Sequence, residues 1–277
     1  MTRMRILGLA LVAAFALAAV VVSSASAAPG WYECGKAAKV GKEYTGKYSD
    51  KNCTSKVEKG GKYELQPGIG KGKGFKGSGS TAILHNVIPG KGDIKVECTS
   101  FKDEGKVAMP NKVYGVKTTF SKCKSLGAPC KTEGGKKETI TTQSLAGELG
   151  WLNKEAGVAG ESLTNEASPG SGYLATFECE GLAKVRVHGA VIGTSGKDVN
   201  AINKESSTTF SVGPYLGEVA PGYTPLVNPP AFEEGAVGVL LTELNGPETE
   251  NVWAPEGGLP SGQEGTAVNK GEALEIH

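Results

Sequence analysis

The sequence contains few of the residue patterns on which catalysis and cofactor binding usually depend. Its 277 residues include only three histidines, His85, His188 and His277. There is no G-x-S-x-G segment, which would indicate the nucleophile elbow of a hydrolase. There is also no C-x-x-C pair, and neither His85 nor His188 lies at zinc-ligand spacing from a cysteine. We therefore predict no catalytic residues, no metal site and no cofactor.

A phosphate loop is also absent, although one segment has a similar composition. Residues 70–78 are mostly Gly and Lys, but the G-x-x-x-x-G-K-[ST] register fits none of their glycines, and no apolar strand precedes them. The wider stretch 66–80 is rich in Gly, Lys and Ser, which is typical of a flexible linker. Within it, Lys71, Lys73 and Lys76 are candidates for weak contact with an anionic surface.

Arginine is nearly absent beyond the N-terminus, where Arg186 is the only one after residue 27. Residues 28–137 carry 22 lysines against 10 acids, whereas residues 138–277 carry 6 basic residues against 19 acids. A basic half can bind an anionic polymer, but lysine lacks the forked donor geometry of arginine, so we expect no specific nucleic-acid recognition. The favoured interpretation is that the two halves compensate each other's charge. The alternative is that the basic half binds a polyanion or a cell-surface glycan.

The longest apolar run lies at the N-terminus. Arg3 and Arg5 precede an uncharged apolar run over residues 6–22, and small residues in A-x-A spacing follow it up to Ala27. This order is typical of a signal peptide, here residues 1–27, cleaved after Ala27. The run is also slightly short for a membrane span of about 20 residues. We therefore expect a secreted or cell-surface protein that does not span the membrane after cleavage.

All six cysteines follow this segment, and in an oxidising compartment they predict disulfide bonds. Six cysteines allow many pairings, and the sequence alone does not choose among them. Geometry favours joining the two cysteines on apolar strand faces, the two that bracket a Gly/Pro loop, and the two nearest the N-terminus: Cys98–Cys179, Cys123–Cys130 and Cys34–Cys53.

Gly and Pro interrupt the chain frequently, which favours short strands and turns over helices. Period-two alternation of apolar and polar residues marks half-buried strands at 94–98, 175–180 and 183–191. Further candidate strands are 113–120, 139–143, 206–212, 236–244 and 272–276, and 145–153 is ambiguous between a strand and a helical turn. We predict an all-β fold, an antiparallel β-sandwich of Greek-key type.

The same pattern divides the chain into segments. We expect a small disulfide-stapled module at 28–65, the linker at 66–80 and a main β domain at 81–277. Proline is dense at 213–235, where it removes backbone donors, so this part of the main domain is predicted to be an extended connection.

Four polar residues form a candidate ligand face. Arg186 and His188 share one side of the predicted strand 183–191, whose other side is apolar. Glu178 and Glu180 share the matching side of the preceding strand, so a hairpin would set acids opposite bases. The favoured interpretation is a solvated cross-strand charge ladder. The alternative is a polar ligand face, for example one for sugars.

Several segments resemble a family of secreted, cysteine-containing actinobacterial proteins with no assigned activity. The similar segments are 44–48, 120–130, 139–150, 177–179 and 187–193. Their shared motifs are cysteines, turns and strands. The resemblance therefore implies export and a β-rich fold, and it carries over no functional residues.

Taken together, the sequence predicts a secreted binding or structural protein of unknown ligand that is not an enzyme. One alternative is an exported hydrolase whose site is assembled from distant residues, with His85 or His188 as the candidates. The other is polyanion or glycan binding by the Lys-rich half.

Overall fold

The computed structural model describes residues 28–67, 72–88, 92–108, 110–196, 199, 202–211, 230–246 and 254–277. The predicted signal peptide, Lys71 and most of the Pro-rich connection lie outside the described residues. Within these ranges the regular structure consists of β-strands without helices, so the prediction of an all-β fold is confirmed. No helix in this part of the chain is long and apolar enough to span a bilayer.

The first six strands form a small N-terminal module. They are β1 (Trp31–Lys36), β2 (Lys39–Val40), β3 (Glu43–Tyr44), β4 (Gly46–Tyr48), β5 (Lys56–Gly61) and β6 (Tyr63–Pro67). β1 pairs with β6, β4 pairs with both β5 and β6, and β2 and β3 form a separate two-stranded ribbon.

The remaining strands build the main body. They are β7 (Lys73–Gly79), β8 (Ala82–Ile88), β9 (Gly92–Cys98), β10 (Ser100–Ala108), β11 (Lys112–Ser121), β12 (Lys124–Ser125), β13 (Ala128–Lys131), β14 (Thr139–Thr141), β15 (Leu145–Asn153), β16 (Val158–Asn165), β17 (Tyr173–Cys179), β18 (Ala183–Gly189), β19 (Val191–Gly196), β20 (Asn203–Phe210), β21 (Leu240–Asn245) and β22 (Ala254–Ile276).

Eight of these strands close on themselves as a barrel. Antiparallel pairing runs in the order β7–β10–β11–β15–β16–β19–β20–β22 and returns from β22 to β7. Each strand therefore has a neighbour on both sides, which removes the open edges of a flat sheet. The strands do not form the plain sandwich that the sequence predicted, because the two sides of the wall are joined by continuous hydrogen bonding.

A second set of strands in the main body also forms a closed circuit. The order β8–β9–β12–β13–β17–β18–β21–β22 also returns to its start. β22 belongs to both circuits: its first half pairs with β21 and β8, and its second half pairs with β20 and β7. This long strand therefore fastens the two parts of the wall together.

The core lies inside this wall because the strands alternate apolar and polar residues. In β18, Val185 and Val187 are buried while Lys184 is exposed, as the period-two pattern predicted. The ambiguous segment 145–153 is a strand, β15, with Leu145 and Leu149 buried on its inner side.

The N-terminal module is attached to the barrel directly. Trp31 of β1 pairs with Ile276 of β22, and both side chains belong to the main core. Where the sequence suggested a linker, the structure has β7, which pairs with β10 and β22. The predicted linker is therefore wrong for Lys73–Gly79, whose glycines lie in a closed sheet.

Three disulfides connect the strands. The expected Cys34–Cys53 bond is confirmed. Beside it, the Asp50 carboxylate accepts hydrogen bonds from the backbone N–H groups of Asn52, Thr54 and Ser55. The expected Cys98–Cys179 and Cys123–Cys130 pairs are wrong: the bonds are Cys98–Cys123 and Cys130–Cys179. Cys130 lies directly opposite Cys179 in the β13–β17 ladder, so sheet register decides the partner. Chain-entropy arguments assign each bond about 3–4 kcal/mol of stability.

Candidate functional site

The strands of the barrel line a cavity of about 120 Å³. Each of the eight strands of the first circuit contributes at least one side chain to its lining. The second circuit adds residues from β8, β9, β17, β18 and β21. The cavity therefore depends on closure of the wall and has no counterpart in any single hairpin.

The lining of the cavity is mostly apolar, with a few polar groups. Representative apolar residues are Leu84, Val96, Leu145, Leu163, Phe177 and Leu240. The polar residues include Asp103, Thr118, Glu161, Thr208, Gln263 and Asn269. This combination of an apolar body and a few polar groups is usual in small-molecule sites.

Two of these polar residues, Asp103 and Asn269, form a row across neighbouring strands with Gly77, which itself does not line the cavity. Asp103 on β10 and Asn269 on β22 both pair with Gly77 on β7, which lies between them. A Cβ atom at Gly77 would collide with Oδ1 of Asp103 and with Oδ1 of Asn269. Both oxygens therefore occupy the space beside Gly77 that a side chain would otherwise fill. We refer to Asp103, Gly77 and Asn269 as the polar row.

Two side-chain oxygens of the polar row have no hydrogen-bond partner among the described residues. Asp103 Oδ1 and Asn269 Oδ1 are both buried and accept no hydrogen bond from any described residue. Burial raises the pKa of Asp103 from 3.8 to about 6, and the nearby backbone N–H groups of Asp103 and Gly77, which do not reach hydrogen-bonding geometry with Oδ1, offset this only in part. Buried polar groups in proteins are rarely left unsatisfied without a reason.

A second, smaller cavity of about 40 Å³ adjoins the first. The two share the lining residues Phe75, Glu161 and Asn269. The smaller cavity also touches Trp31, whose indole N–H is buried without a hydrogen-bond partner among the described residues. It continues to the exposed Lys270, so it lies between the polar row and the protein surface.

Arg186 and His188, the basic members of the predicted ligand face, lie together on the outer side of the barrel. The Arg186 guanidinium donates to Tyr173 Oη at 3.4 Å and stacks over the Tyr173 ring. Tyr173 in turn donates to Glu243 at 3.3 Å, and His188 Nε2 lies 3.9 Å from the same carboxylate. We call Tyr173, Arg186, His188 and Glu243 the outer cluster.

The acidic members of the predicted face lie elsewhere. Glu178 is opposite Lys184 in the hairpin and forms an ion pair with Lys131 at 3.3 Å. Glu180 is exposed in the turn after β17. Both border an open cleft of about 720 Å³, separate from Arg186 and His188, which do not line it.

The lysines proposed for anion contact are only partly described. Lys73 forms an ion pair with Glu33 at 2.8 Å, which joins β7 to the N-terminal module. Lys76 is exposed on the outer side of β7. No concentrated anion site is formed by these two residues.

His85 has two acidic neighbours. Its Nδ1 lies 2.7 Å from Asp93 and its Nε2 lies 3.4 Å from Glu264. Both ring nitrogens therefore contact carboxylates, and neither contacts a serine, threonine or cysteine among the described residues. Within those residues, no three His, Cys, Asp or Glu side chains converge as metal ligands would.

Sequence patterns do not reveal the polar row. Gly77 lies within the stretch whose composition predicts a linker, and Asp103 and Asn269 lie in β10 and in a part of β22 that show no clear alternation of apolar and polar residues. One signal was present: Phe101, Asp103 and Val107 share a strand face, so a carboxylate interrupts a buried apolar side.

Comparison of the chain with protein-family models, with curated proteins and with solved structures finds no match.

Proposed function

We propose that the protein is an exported, non-catalytic binding protein that holds a small apolar molecule inside its barrel. The observation that carries the proposal is the cavity of about 120 Å³ bounded by all eight strands of the closed circuit. Eight-stranded barrels are either filled by their own side chains or hold one small ligand. The apolar lining favours a ligand whose buried part is a hydrocarbon.

The volume limits the size of that part. An engineered apolar cavity of about 150 Å³ binds benzene or xenon. The cavity here is slightly smaller, so it suits a single aromatic ring or a short branched hydrocarbon. In series of core truncations, each Å³ of cavity left behind costs about 24 cal/mol. A ligand that fills the space would recover part of this free energy.

Export is supported by the three disulfides, which persist in oxidising compartments. We expect protein isolated from its natural host to begin at Ala28 and to contain no free thiol. Intact-mass spectrometry with and without reduction measures both properties. A retained N-terminal segment or six free thiols would contradict export and oxidative folding.

Ligand binding is tested with toluene as the probe. We expect the melting temperature to rise with toluene concentration, because a ligand that binds only the folded state stabilises it. Ala267 is almost fully buried and lines the cavity, so Ala267→Leu would place a larger side chain in that space. Toluene should then have little effect.

Two further variants complete this experiment. Ala175→Leu fills the cavity from another strand and replaces Ala267→Leu if that variant does not fold. Ala146→Leu is the matched control, because Ala146 does not line the cavity and should leave the toluene effect unchanged. Equal toluene responses in the parent protein and in both filled variants would show that the cavity is not the binding site.

A second candidate is glycan binding at the outer cleft. The cleft of about 720 Å³ is lined by both signs of charge, including Lys131, Lys184, Glu178 and Glu180. Such a surface offers hydrogen-bond donors and acceptors to sugar hydroxyls. Binding of heparin or a neutral glycan is measured at low and physiological salt, and attraction between exposed charges should weaken as salt screens it. Binding that is unchanged in Lys131→Ala and Lys184→Ala would exclude the cleft.

A further inference from the structure

The polar row places two hydrogen-bond acceptors at one point of a mostly apolar cavity wall. Asp103, Gly77 and Asn269 stand at one level of the wall, because the registers of β10–β7 and β7–β22 place both polar residues opposite the same glycine. Any side chain larger than glycine at position 77 would push the two oxygens apart. The glycine at position 77 therefore allows two acceptor oxygens to lie close together, which a side chain at this position would prevent.

These oxygens are acceptors without donors. Asn269 is only 9% exposed, and its Oδ1 and that of Asp103 have no hydrogen-bond partner among the described residues. Turning the Asn269 amide over would let its N–H groups face Asp103. A carboxylate offers about four lone-pair sites, so Asp103 could still accept from a ligand in either orientation.

The main cavity is lined by acidic but not by basic residues of the described chain, whereas the smaller cavity beside it is also lined by Lys73, Lys204 and Lys270. The ionisable lining residues of the main cavity in the described part of the chain are Asp103 and Glu161, both acids. No basic group of the described residues lowers the pKa of Asp103, which is set by burial and by two backbone N–H groups. A buried carboxylate without a cation is costly, and an ammonium group would offset its charge while donating up to three hydrogen bonds.

We propose that the polar row binds the ammonium group of a small amine whose apolar part occupies the main cavity. This inference rests on the proposed function, since it names the ligand class of the same cavity. Asp103 supplies the charge, Asn269 supplies a second acceptor, and Gly77 leaves room for these two side chains, which line the cavity and would face the ammonium group there. Charge-assisted hydrogen bonds of this kind are about twice as strong as neutral ones.

Benzylamine and toluene share an aromatic ring, but only benzylamine has an amine. Comparing them therefore separates binding of an apolar group in the cavity from binding of an ammonium group by the polar row. At about pH 8 Asp103 is ionised, and we expect benzylamine to bind at least about tenfold more tightly than toluene in calorimetric titration. Benzyl alcohol, a neutral donor, should fall between them.

Variants assign the preference to the row. Asp103→Asn keeps the shape and removes the charge, so the preference for benzylamine should fall at least about tenfold while toluene binding persists. Asn269→Leu should reduce the preference by less. Glu243→Gln is the matched control, because it removes a carboxylate outside the cavity and should leave the preference intact. Retained toluene binding also shows that each variant is folded.

The outcomes are distinguishable. Toluene binding without a preference for benzylamine, or a preference that survives Asp103→Asn, overturns the amine inference and leaves the proposed function standing. Absence of binding by both probes in the parent protein overturns both.

Discussion

Two carboxylates of low exposure, Asp103 and Glu243, occupy opposite sides of the barrel wall. Glu243 lies on the outer side, directly opposite Arg186, and accepts a hydrogen bond from Tyr173. Asp103 lies on the inner side, where Gly77 and Asn269 offer no charge and one of its oxygens has no partner among the described residues.

The comparison shows why burial alone does not identify a binding group. Glu243 is 16% exposed, and its surroundings of Tyr173, Arg186 and His188 account for its charge. The outer cluster therefore resembles a structural cross-strand network. Asp103 has similar access to solvent but no such network, and an unexplained charge of this kind is typical of functional sites.

The largest expected effect comes from removing the inner charge. Asp103→Asn should raise the free energy of unfolding by up to about 3 kcal/mol at about pH 8, because a pKa of about 6 against an ordinary 3.8 disfavours the charged form in the fold. Urea unfolding at this pH measures the change. A variant less stable than the parent protein would show that the fold uses the charge.

The same group predicts a pH dependence with a definite sign. Below about pH 4 Asp103 is protonated in both the folded and unfolded states, so burying it costs no ionisation free energy and the protein has its full stability from this group. As the pH rises towards about 6, the unfolded chain loses this proton first and stability falls. Asp103→Asn should lack this component, which is found by subtracting the two pH profiles of unfolding free energy.

The outer carboxylate should respond in the opposite direction. Glu243→Gln replaces the charged acceptor of Tyr173 with a neutral amide oxygen and removes the charge opposite Arg186, and it should lower the free energy of unfolding by about 2 kcal/mol. Urea unfolding of this variant beside Asp103→Asn gives the direct contrast. A change of the same sign in both variants would remove the distinction drawn between them.

A smaller loss is expected from the hydroxyl that links the outer cluster. Tyr173→Phe keeps the ring under Arg186 but removes the hydrogen bonds to Arg186 and Glu243, so it should cost about 1 kcal/mol. Thermal unfolding measures it. In the Glu243→Gln background the cost of Tyr173→Phe should shrink, and unchanged additivity would mean that the two groups act separately.

The smallest effect is expected where the charges are solvated. Lys131 and Glu178 are 43% and 40% exposed, and their ion pair lies at 3.3 Å. Lys131→Ala should change the free energy of unfolding by less than about 1 kcal/mol, because water and salt screen exposed pairs. Unfolding measured at low and high salt checks this, and a large salt-insensitive loss would place the pair among the buried networks.

Sequence patterns identified those strands whose inner face is uniformly apolar. β9, β17 and β18 were recognised because residues such as Val96, Phe177 and Val185 alternate with polar neighbours. β7 and β10 were missed because Gly77 and Asp103 interrupt their inner faces. The residues of the polar row thus weaken the very signal by which their strands are recognised.

Long-range pairing explains the other difference. Cys98 and Cys179 were correctly placed on strands, and both are buried, but the choice of partner depends on which strands are neighbours. Cys130 meets Cys179 because β13 lies beside β17. Local alternation contains no information about that neighbourhood, so neither the disulfide pairing nor the cavity could be derived from it.

Closure by β22 has a consequence for the order of folding. Asn269 meets Gly77 across a sequence separation of 192 residues (269 − 77), and such distant contacts are slow to form. Before β22 docks, hairpins can exist, but neither circuit is complete and Asp103 faces water. The cavity therefore forms late in folding, and binding of a probe inside it would report that β22 has docked.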